Sequence, residues 1–467
     1  MGDMRVGAAH TTLVVPAKPV REHWLPLSNL DRVVMPSYIR VLFVYKTGKR
    51  CYGKLLEKLK CSLSRVLVDF YPMAGRLGVQ EHGLVNLHCN GAGAIFTEAS
   101  VEQSLEDVHV TRQMSALSGL QAAGIGVGPL YIPTRDSPVP ALIIQATRFK
   151  CNSMVLAVNW HHTVADVHSG GHFLRSWAEL AFGKTQPSLR PVHSRHLVKP
   201  RNELDVTFAE QWSNLARITR GPREMPPDPR TAVSAFNIGK KTVDSLKEEA
   251  NKDFGGSEEI EQGMIFTAEE SLLAHFWKLL AKARRVEEPQ DEDNFSRLFM
   301  FVGGRKYLGL PQGYFGNVVG CACAMSTEES LQNSTLSSIA GLLRSSVEEV
   351  SCREFFQSLI DWVEFQRLSS TRHEQGLAVG HYVAATVWTF LPLYEIDFGW
   401  GKPTCALINP APRRLFDSLV ILPGPCPNSA QKALLQVRAS CLNRLEADPE
   451  FTSLFTPTLA SQSGNQS

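Results

Sequence analysis

The sequence of 467 residues has no long apolar run, no strong excess of charge and no ordered spacing of cysteines. No apolar run approaches the ~18 residues of a membrane-spanning helix, so we expect no membrane span. The formal net charge is +2, which gives no electrostatic reason to expect nucleic acid or an acidic membrane as a partner. The ten cysteines form no CxxC pair, which favours a reduced intracellular protein over a disulfide scaffold or zinc ribbon.

The amino-terminal stretch MGDMRVGAAHTT also lacks the apolar core of a secretory signal peptide, and Val6 breaks the myristoylation pattern. We therefore predict a soluble, cytoplasmic protein. The composition is globular, with 43% hydrophobic and 20% charged residues, and the length suits two domains. Local basic groups remain available for a phosphorylated small molecule, such as Lys282, Arg284 and Arg285.

The spacing of apolar residues predicts a mixture of helices and strands. Helices are predicted over 51–70, 170–183 and 267–285, and strands over 141–149, 154–160, 297–302, 317–325 and 404–422. Thr267 and Glu270 match a capping box at the start of the last helix. Residues 183–230 are rich in Pro, Arg, Lys and Asp and are interpreted as a long crossover between two halves. The pattern predicts an α/β enzyme of two domains.

The stretch NWHHTVADVHSGGHF, residues 159–173, holds four histidines and one aspartate after a predicted strand. A metal site is one interpretation, but His168 and His172 lack the intervening Glu of a zincin. A second is a catalytic base, because a neutral imidazole accepts protons near neutral pH and only His162 has an aspartate, Asp166, four residues on. The third is an ordinary strand end, since chance alone supplies roughly one such pair in a chain of this composition.

A second informative stretch is DFGWGKP, residues 397–403. A kinase DFG motif is rejected because no VAIK lysine, HRD loop or glycine-rich lid accompanies it. Two glycines around a tryptophan also fit a tight, packed turn. The segment GIGVG at 124–128 is not GxGxxG, and no GxSxG elbow is present, which argues against dinucleotide binding and against an α/β-hydrolase route.

The chain resembles the BAHD family of plant acyl-CoA-dependent acyltransferases nearly from end to end. The segments that carry the resemblance follow in the family's order and spacing: LPLSNLD (25–31), YPMAGRL (71–77), HHTVAD (161–166), AHFWKLLAKAR (274–284), GYFGN (313–317) and DFGWGKP (397–403). Each segment is modest alone, but together and in order they are highly specific.

The resemblance implies two chloramphenicol-acetyltransferase-like domains, each a mixed β-sheet with flanking helices, joined by a long crossover loop. We expect an N-terminal domain over 1–190 that carries HxxxD and a crossover loop over 191–230. A C-terminal domain that carries DFGWG would follow over 231–456, and a flexible tail over 457–467. Acyl-CoA and the acceptor would enter a channel between the domains from opposite faces.

The resemblance also implies roles for individual residues. His162 would be the general base of a direct transfer, with His161 pointing away. Asp166 would orient the loop through Arg305, and Trp388 would donate to the oxyanion that forms on the thioester carbonyl. Asp397 is sometimes treated as a second active residue, although its flanking glycines favour a structural role.

Further positions in this resemblance are the turn residues Gly399, Trp400 and Gly401, and the acceptor-side candidates Arg372 and Thr386. Arg372 is one residue out of the expected register, which favours a surface arginine. Val167 stands where the family often has glycine, and the family's VDGR appears here as Val302-Gly303-Gly304-Arg305, which lacks the acidic residue. Both departures put the fine geometry in doubt, and Val167 could narrow the acceptor side.

The predicted reaction moves an acyl group, hydroxycinnamoyl or another aromatic acyl, from acyl-CoA to a hydroxyl or amine of a small molecule. Acyl-CoA is then a co-substrate, and we expect no cofactor, no metal, no nucleic acid or membrane partner, and a monomer. The alternatives are an acetyl, malonyl or other aliphatic acyl donor, a condensation-type domain that uses carrier-bound acyl groups, and a degenerate scaffold without activity.

Overall fold

The computed structural model describes the greater part of the chain. The described residues are 4, 6–7, 9–80, 83–108, 110, 117, 119–120, 132–208, 231–252, 266–284, 295–368, 381–409, 417–425 and 430–457. Arg372, Arg285, the GIGVG segment and the second half of the predicted crossover lie outside these ranges.

The described chain contains both strands and helices. Its strands are β1 His10–Val14, β2 His23–Leu25, β3 Tyr38–Lys46, β4 Arg76–Val79, β5 Val85–Cys89, β6 Ala94–Val101, β7 Val139–Pro140, β8 Leu142–Phe149, β9 Ser153–His161, β10 Thr231–Ile238, β11 Phe295–Gly303, β12 Val319–Thr327, β13 His381–Val387, β14 Cys405–Ile408, β15 Asp417–Leu422, β16 Gln431–Arg438 and β17 Phe455–Pro457. Its α-helices are α1 Asn29–Val33, α2 Tyr52–Asp69, α3 Val167–Phe182, α4 Lys240–Ala250, α5 Ala268–Arg284, α6 Glu328–Asn333, α7 Leu336–Val350, α8 Arg353–Leu368, α9 Ala439–Ala447 and α10 Pro449–Leu454.

Two large mixed sheets organise the molecule, and the predicted α/β class is confirmed. The first has the order β1–β6–β8–β9–β3–β14, and the second has the order β12–β11–β13–β15–β16–β10–β17. A smaller sheet has the order β2–β5–β4–β7. Across the described ranges, no helix combines the length and apolar character needed to cross a bilayer.

Helices α2 and α3 contact each other within the core of the first sheet. The predictions for α2, β8 and β9 are confirmed, and every residue of β9 is buried. The predicted start of α3 near Gly170 is wrong, because the helix begins at Val167. Its N-cap is Asp166, whose side chain accepts a hydrogen bond from the Ser169 N–H. The polar end of β9 is thereby joined to a helix by only a few residues.

The second sheet packs against α5, α7 and α8 in a separate core. The capping box predicted for α5 is confirmed, because Thr267 and Glu270 exchange side-chain-to-backbone hydrogen bonds. The single strand predicted over 404–422 is wrong. Its first part, β14, pairs with β3 in the first sheet, whereas β15 lies beside β13 in the second. The apolar runs of β14 and β15 look alike in sequence, and only the strands with which they pair show that they belong to different sheets.

Candidate active site

The loop that follows β9 presents His162 at the boundary between the two sheets. Its backbone N–H donates to the carbonyl oxygen of Ser37 at 2.8 Å, which ties the loop to the start of β3. The indole of Trp160 donates to the carbonyl oxygen of Ala165 at 3.1 Å and holds the far side of the loop. His162 itself is half-buried, so its ring is oriented by the protein while part of the residue reaches solvent.

Asn317, in the segment before β12, holds the imidazole of His162. Its Oδ1 lies 3.0 Å from Nδ1 of His162, and its Nδ2 donates to the His162 carbonyl oxygen at 2.8 Å. The same Nδ2 donates to Oδ1 of Asp31 at 2.9 Å, and so does the Asn317 backbone N–H. The imidazole of His162 is therefore held by a residue 155 positions away in the chain.

These contacts select one tautomer of His162. If the amide of Asn317 were reversed, its oxygen would face two acceptors, the Asp31 carboxylate and the His162 carbonyl, which cannot donate to it. Oδ1 of Asn317 therefore points at His162, and Nδ1 of the imidazole must carry the proton that it donates. Nε2 is left with a free lone pair, which is the form that accepts a proton from a substrate.

The protein keeps His162 neutral. Burial lowers its pKa below the ordinary 6.5, because desolvation opposes the charged imidazolium. The bond with Asn317 and the nearby carboxylates Asp166 and Asp31 act in the opposite direction and limit the fall. A neutral imidazole at physiological pH suits a general base.

Asp166 faces away from the imidazole and forms a buried ion pair with Arg305. Nη1 and Nη2 of Arg305 donate to the two carboxylate oxygens at 2.7 and 2.9 Å. The backbone N–H groups of Ser169 and Val318 donate to the same carboxylate. Burial would raise the pKa of the Asp166 carboxyl, but Arg305 and these two donors outweigh it and hold the pKa below its usual value.

The other histidines of the stretch have separate surroundings. His161 is buried and lies edge-on to Tyr38, with ring centroids 5.3 Å apart. His172 contacts the carbonyl of Leu189 at 2.9 Å, and His168 is exposed on α3. Among the residues for which the structure gives a placement, no three His, Cys, Asp or Glu side chains group as a metal site would require.

The DFGWG segment forms a turn around its own aspartate. Oδ1 of Asp397 accepts hydrogen bonds from the backbone N–H groups of Gly399, Trp400 and Gly401, at 2.7 to 3.1 Å. Gly399 and Gly401 have φ values of +95° and +115°, which residues other than glycine rarely adopt. Phe398 lies against Trp177 of α3 at 4.7 Å between ring centroids. The turn is thus bonded internally and packed in the first core.

The model of the Transferase family, which comprises the BAHD acyltransferases, matches residues 4–452 of the chain. The chain belongs to this family. It is an acyl-CoA-dependent acyltransferase, and such enzymes use acyl-CoA together with a small-molecule acceptor.

Individual members of the BAHD family resemble the chain over most of its length. Shikimate O-hydroxycinnamoyltransferase of Nicotiana tabacum is 27% identical over 458 residues, which cover 95% of this chain and 99% of that protein. Hydroxycinnamoyltransferase of Narcissus pseudonarcissus is 30% identical over 417 residues, which cover 86% and 89% of the two chains. The crystal structure of vinorine synthase superposes with a TM-score of 0.73 at 22% identity, over 98% of this chain and 100% of that one. This last likeness shows the shared fold.

The remaining positions expected from the BAHD resemblance lie at the end of β13 and at the start of α3. Thr386 is half-buried on β13, and Trp388 follows the strand with 6% of its surface exposed. The backbone N–H of Trp388 donates to the carbonyl of Ile421 at 2.8 Å. Val167 is the first residue of α3 and lies partly buried against the first core. Its side chain therefore stands next to Asp166, whose bonds with Arg305 hold the end of the loop over 162–165, termed the base loop.

The basic group on α5 is engaged in ion pairs. Nζ of Lys282 lies 2.8 Å from a carboxylate oxygen of Asp448. Arg284 is buried and paired with Asp417 and Glu328. These contacts give Arg284 a structural role in the second core, whereas Lys282 lies at the surface with 55% of its side chain exposed.

Three residues of the site were missed by sequence reasoning: Asn317, Asp31 and Arg195. Nε of Arg195 lies 2.9 Å from Oδ2 of Asp31, and its Nη2 donates to the carbonyl of Val164 in the base loop. A signal was present, since Asp31 and Asn317 are the last residues of LPLSNLD and GYFGN. Those segments carried the family resemblance without a stated chemical role.

Proposed function

We propose that this BAHD acyltransferase moves a hydroxycinnamoyl group from its CoA thioester to a hydroxyl or amine of a small-molecule acceptor, with His162 as the general base. The tautomer of His162 carries the proposal, because the contact between Nδ1 and Asn317 leaves Nε2 as the proton acceptor. The hydroxycinnamoyl donor is supported by the activities named for the tobacco and Narcissus relatives. Acyl-CoA is a co-substrate, and the proposal needs no other cofactor.

The transfer proceeds in a ternary complex without a covalent enzyme intermediate. Nε2 of His162 takes the proton of the acceptor O–H or N–H while that oxygen or nitrogen attacks the thioester carbonyl carbon. The tetrahedral intermediate collapses by breaking the C–S bond, and the imidazolium returns the proton to the departing sulfur. The products are the ester or amide and free coenzyme A. General-base assistance of this kind contributes about 10²–10⁴-fold in rate.

The oxyanion of the intermediate needs a hydrogen-bond donor where the charge develops. We assign this role to the indole of Trp388, because the residue follows β13 directly and the resemblance implies it. Departure of the sulfur is favourable, since a thiol with a pKa near ~8.5 is a good leaving group at neutral pH. Asp166 and Arg305 act indirectly by holding the loop that carries the base.

The acceptor side is assigned to the face of the second sheet that is turned away from α7 and α8. Phe301 of β11 is paired with Cys321 of β12. On its other side, β11 runs parallel to β13, where Met300 is paired with Ala385. The next residues of these two strands, Phe301 and Thr386, therefore lie side by side. Phe301 is 39% exposed and lies four residues before Arg305, which donates to Asp166 at the end of the loop that carries His162. We propose that the Thr386 hydroxyl forms a hydrogen bond with the acyl acceptor, while Phe301 covers the apolar part of that molecule.

The test is acyl transfer by the purified protein. Coumaroyl-, caffeoyl-, benzoyl-, acetyl- and malonyl-CoA are each mixed with a panel of alcohol and amine acceptors, and release of free thiol is followed. We expect release with the hydroxycinnamoyl donors and a loss of about 10²–10⁴-fold in His162→Ala. Activity only with acetyl- or malonyl-CoA would replace the donor assignment by the aliphatic alternative.

The matched control is His168→Ala, which removes an exposed histidine six residues from the base on the adjacent helix. This variant should retain wild-type turnover. Unchanged turnover in His162→Ala contradicts the proposed base. Loss of activity on addition of a chelator would favour the metal interpretation of the histidine stretch instead.

A further inference from the structure

Asp31 is a fully buried carboxylate that reaches the loop of His162 through Asn317 and through Arg195. It is the third residue of α1 and forms a capping box with Ser28. Its Oδ1 accepts two hydrogen bonds from Asn317, and its Oδ2 accepts the backbone N–H and the hydroxyl of Ser28 at 2.9 and 2.8 Å. Both oxygens are therefore surrounded by donors, which is the arrangement that suits a carboxylate.

Arg195 completes this cluster with the opposite charge. It is 4% exposed, and its guanidinium joins Asp31 to the Val164 carbonyl of the base loop. The guanidinium also lies where a side chain on residue 316 would be, so Gly316 is needed for this close approach. Arg305 donates to the carbonyl of the same glycine at 2.8 Å. Two arginine–aspartate pairs thus flank the residue that precedes Asn317.

We infer that Asp31 is a positioning residue for acyl transfer, which acts through Asn317 to hold His162 in the tautomer with a free Nε2; this rests on the proposed role of His162. The reason is that a carboxylate only accepts hydrogen bonds, so it admits one orientation of the Asn317 amide. An asparagine at position 31 both donates and accepts, so only the His162 carbonyl is left to oppose the reversed orientation. The reversed amide would donate to Nδ1 of His162 and leave the imidazole proton on Nε2, where it blocks the base.

The charge of Asp31 has a second effect. Burial lowers the pKa of His162, whereas Asp166 and Asp31 raise it. Arg305 and Arg195 are the cations paired with these two carboxylates. Replacing Asp31 by a neutral residue lowers the pKa of His162 further, so the acid limb of the pH–rate profile moves to lower pH.

The experiment compares Asp31→Asn, Asn317→Ala and the double variant in the full chain with the best acyl-CoA and acceptor pair. We expect kcat in Asp31→Asn to fall about 10- to 100-fold, with KM for acyl-CoA within about twofold of wild type. The double variant should be no slower than Asn317→Ala, because Asp31 acts through Asn317. Additive losses, or an acid limb that stays in place, would overturn the inference.

Asp417→Asn is the matched control, since Asp417 is a buried aspartate paired with Arg284 in the second core. It should lower the melting temperature without moving the pH profile. If Asp31→Asn does not fold, ¹⁵N NMR of the wild-type histidines decides, and a His162 protonated on Nε2 at pH 8 refutes the inference. The proposed role of His162 as the base is tested separately, because an active His162→Ala variant would contradict it. Wild-type behaviour of Asp31→Asn beside an inactive His162→Ala removes only the role of Asp31.

Discussion

Arg305 donates two hydrogen bonds to the carboxylate of Asp166, although the two residues are 139 positions apart in the chain. Asp166 also caps α3, so the pair attaches the start of this helix to the connection between β11 and β12. His162 lies in the loop just before the cap. The pair therefore keeps His162 at a set distance from the second sheet.

Arg305→Gln should destabilise the folded protein by about 3–5 kcal/mol, because it leaves the buried carboxylate of Asp166 without its cation. Turnover should fall as well, since the base loop loses its anchor. Urea unfolding and kcat measured on the same preparation check both. The control is Arg175→Gln on α3, because the Arg175 side chain is 69% exposed and its pair with Glu179 is worth less than about 1 kcal/mol. Equal stability of the two variants would contradict the prediction.

Asp397→Ala should lower the free energy of unfolding by about 1–3 kcal/mol, since three backbone N–H groups lose their acceptor. Asp397→Asn keeps an oxygen in the same place and should retain both stability and turnover. Thermal unfolding and acyl transfer by the two variants separate a structural role from a catalytic one. If Asp397→Asn were as inactive as His162→Ala, the carboxylate would have a chemical role.

Phe301→Ala should raise KM for the acceptor about tenfold while KM for acyl-CoA stays unchanged, because the ring is assigned to the acceptor's apolar part. Stability should change little, since the ring is already 39% exposed. Met325→Ala is the control, because Met325 is exposed farther along the same sheet face. Steady-state kinetics with each substrate varied in turn distinguish the outcomes. A change confined to acyl-CoA would place Phe301 on the donor side.

His193 should make the protein less stable in mild acid. Its Nε2 lies 2.8 Å from the Asp69 carbonyl, and burial, with the nearby charges of Arg195, His172 and His23, lowers its pKa from 6.5 to about 4. The unfolded chain therefore binds a proton here below about pH 6.5, whereas the folded chain does so only near pH 4. Stability falls as the pH drops through that window, by about 2 kcal/mol between pH 7 and pH 5.

The variant His193→Gln tests this prediction, because glutamine keeps an N–H donor for the Asp69 carbonyl but does not titrate. Its free energy of unfolding should depend on pH less steeply than that of the wild type between pH 7 and pH 5. Urea titrations at both values provide the comparison. Identical pH dependence in the two proteins would show that His193 is already solvated in the folded state.

The elements predicted correctly from sequence are those with a long local signal. The leucines of α2 recur at helical spacing, and β8 and β9 are dense in strand-forming residues. The run over 404–422 failed because it holds two strands that belong to different sheets. The sequence PAPRR at 410–414 is a break that could have divided it, since proline does not continue a central strand.

The residues of the site also fall into those that a local sequence pattern identifies and those that only the fold brings together. His162 and Asp166 lie four residues apart, so a local motif contains both. The contact between Asp31 and Asn317 spans 286 residues and appears only when the two sheets meet. Each residue ends a segment that carries the family resemblance, but their buried polar contact follows from tertiary packing alone. The family resemblance identified the segments, and the geometry supplies their chemistry.

The position of β14 has a consequence for how the chain is made. Strand β3 lies between β9 and β14, but β14 consists of residues 405–408, near the end of the sequence. While a ribosome is still synthesising the second half, β3 has only one neighbour and offers a row of open N–H and C=O groups. The first sheet is completed only after the second sheet is largely synthesised. The nascent amino-terminal half is therefore exposed to edge-to-edge association until its last strand arrives.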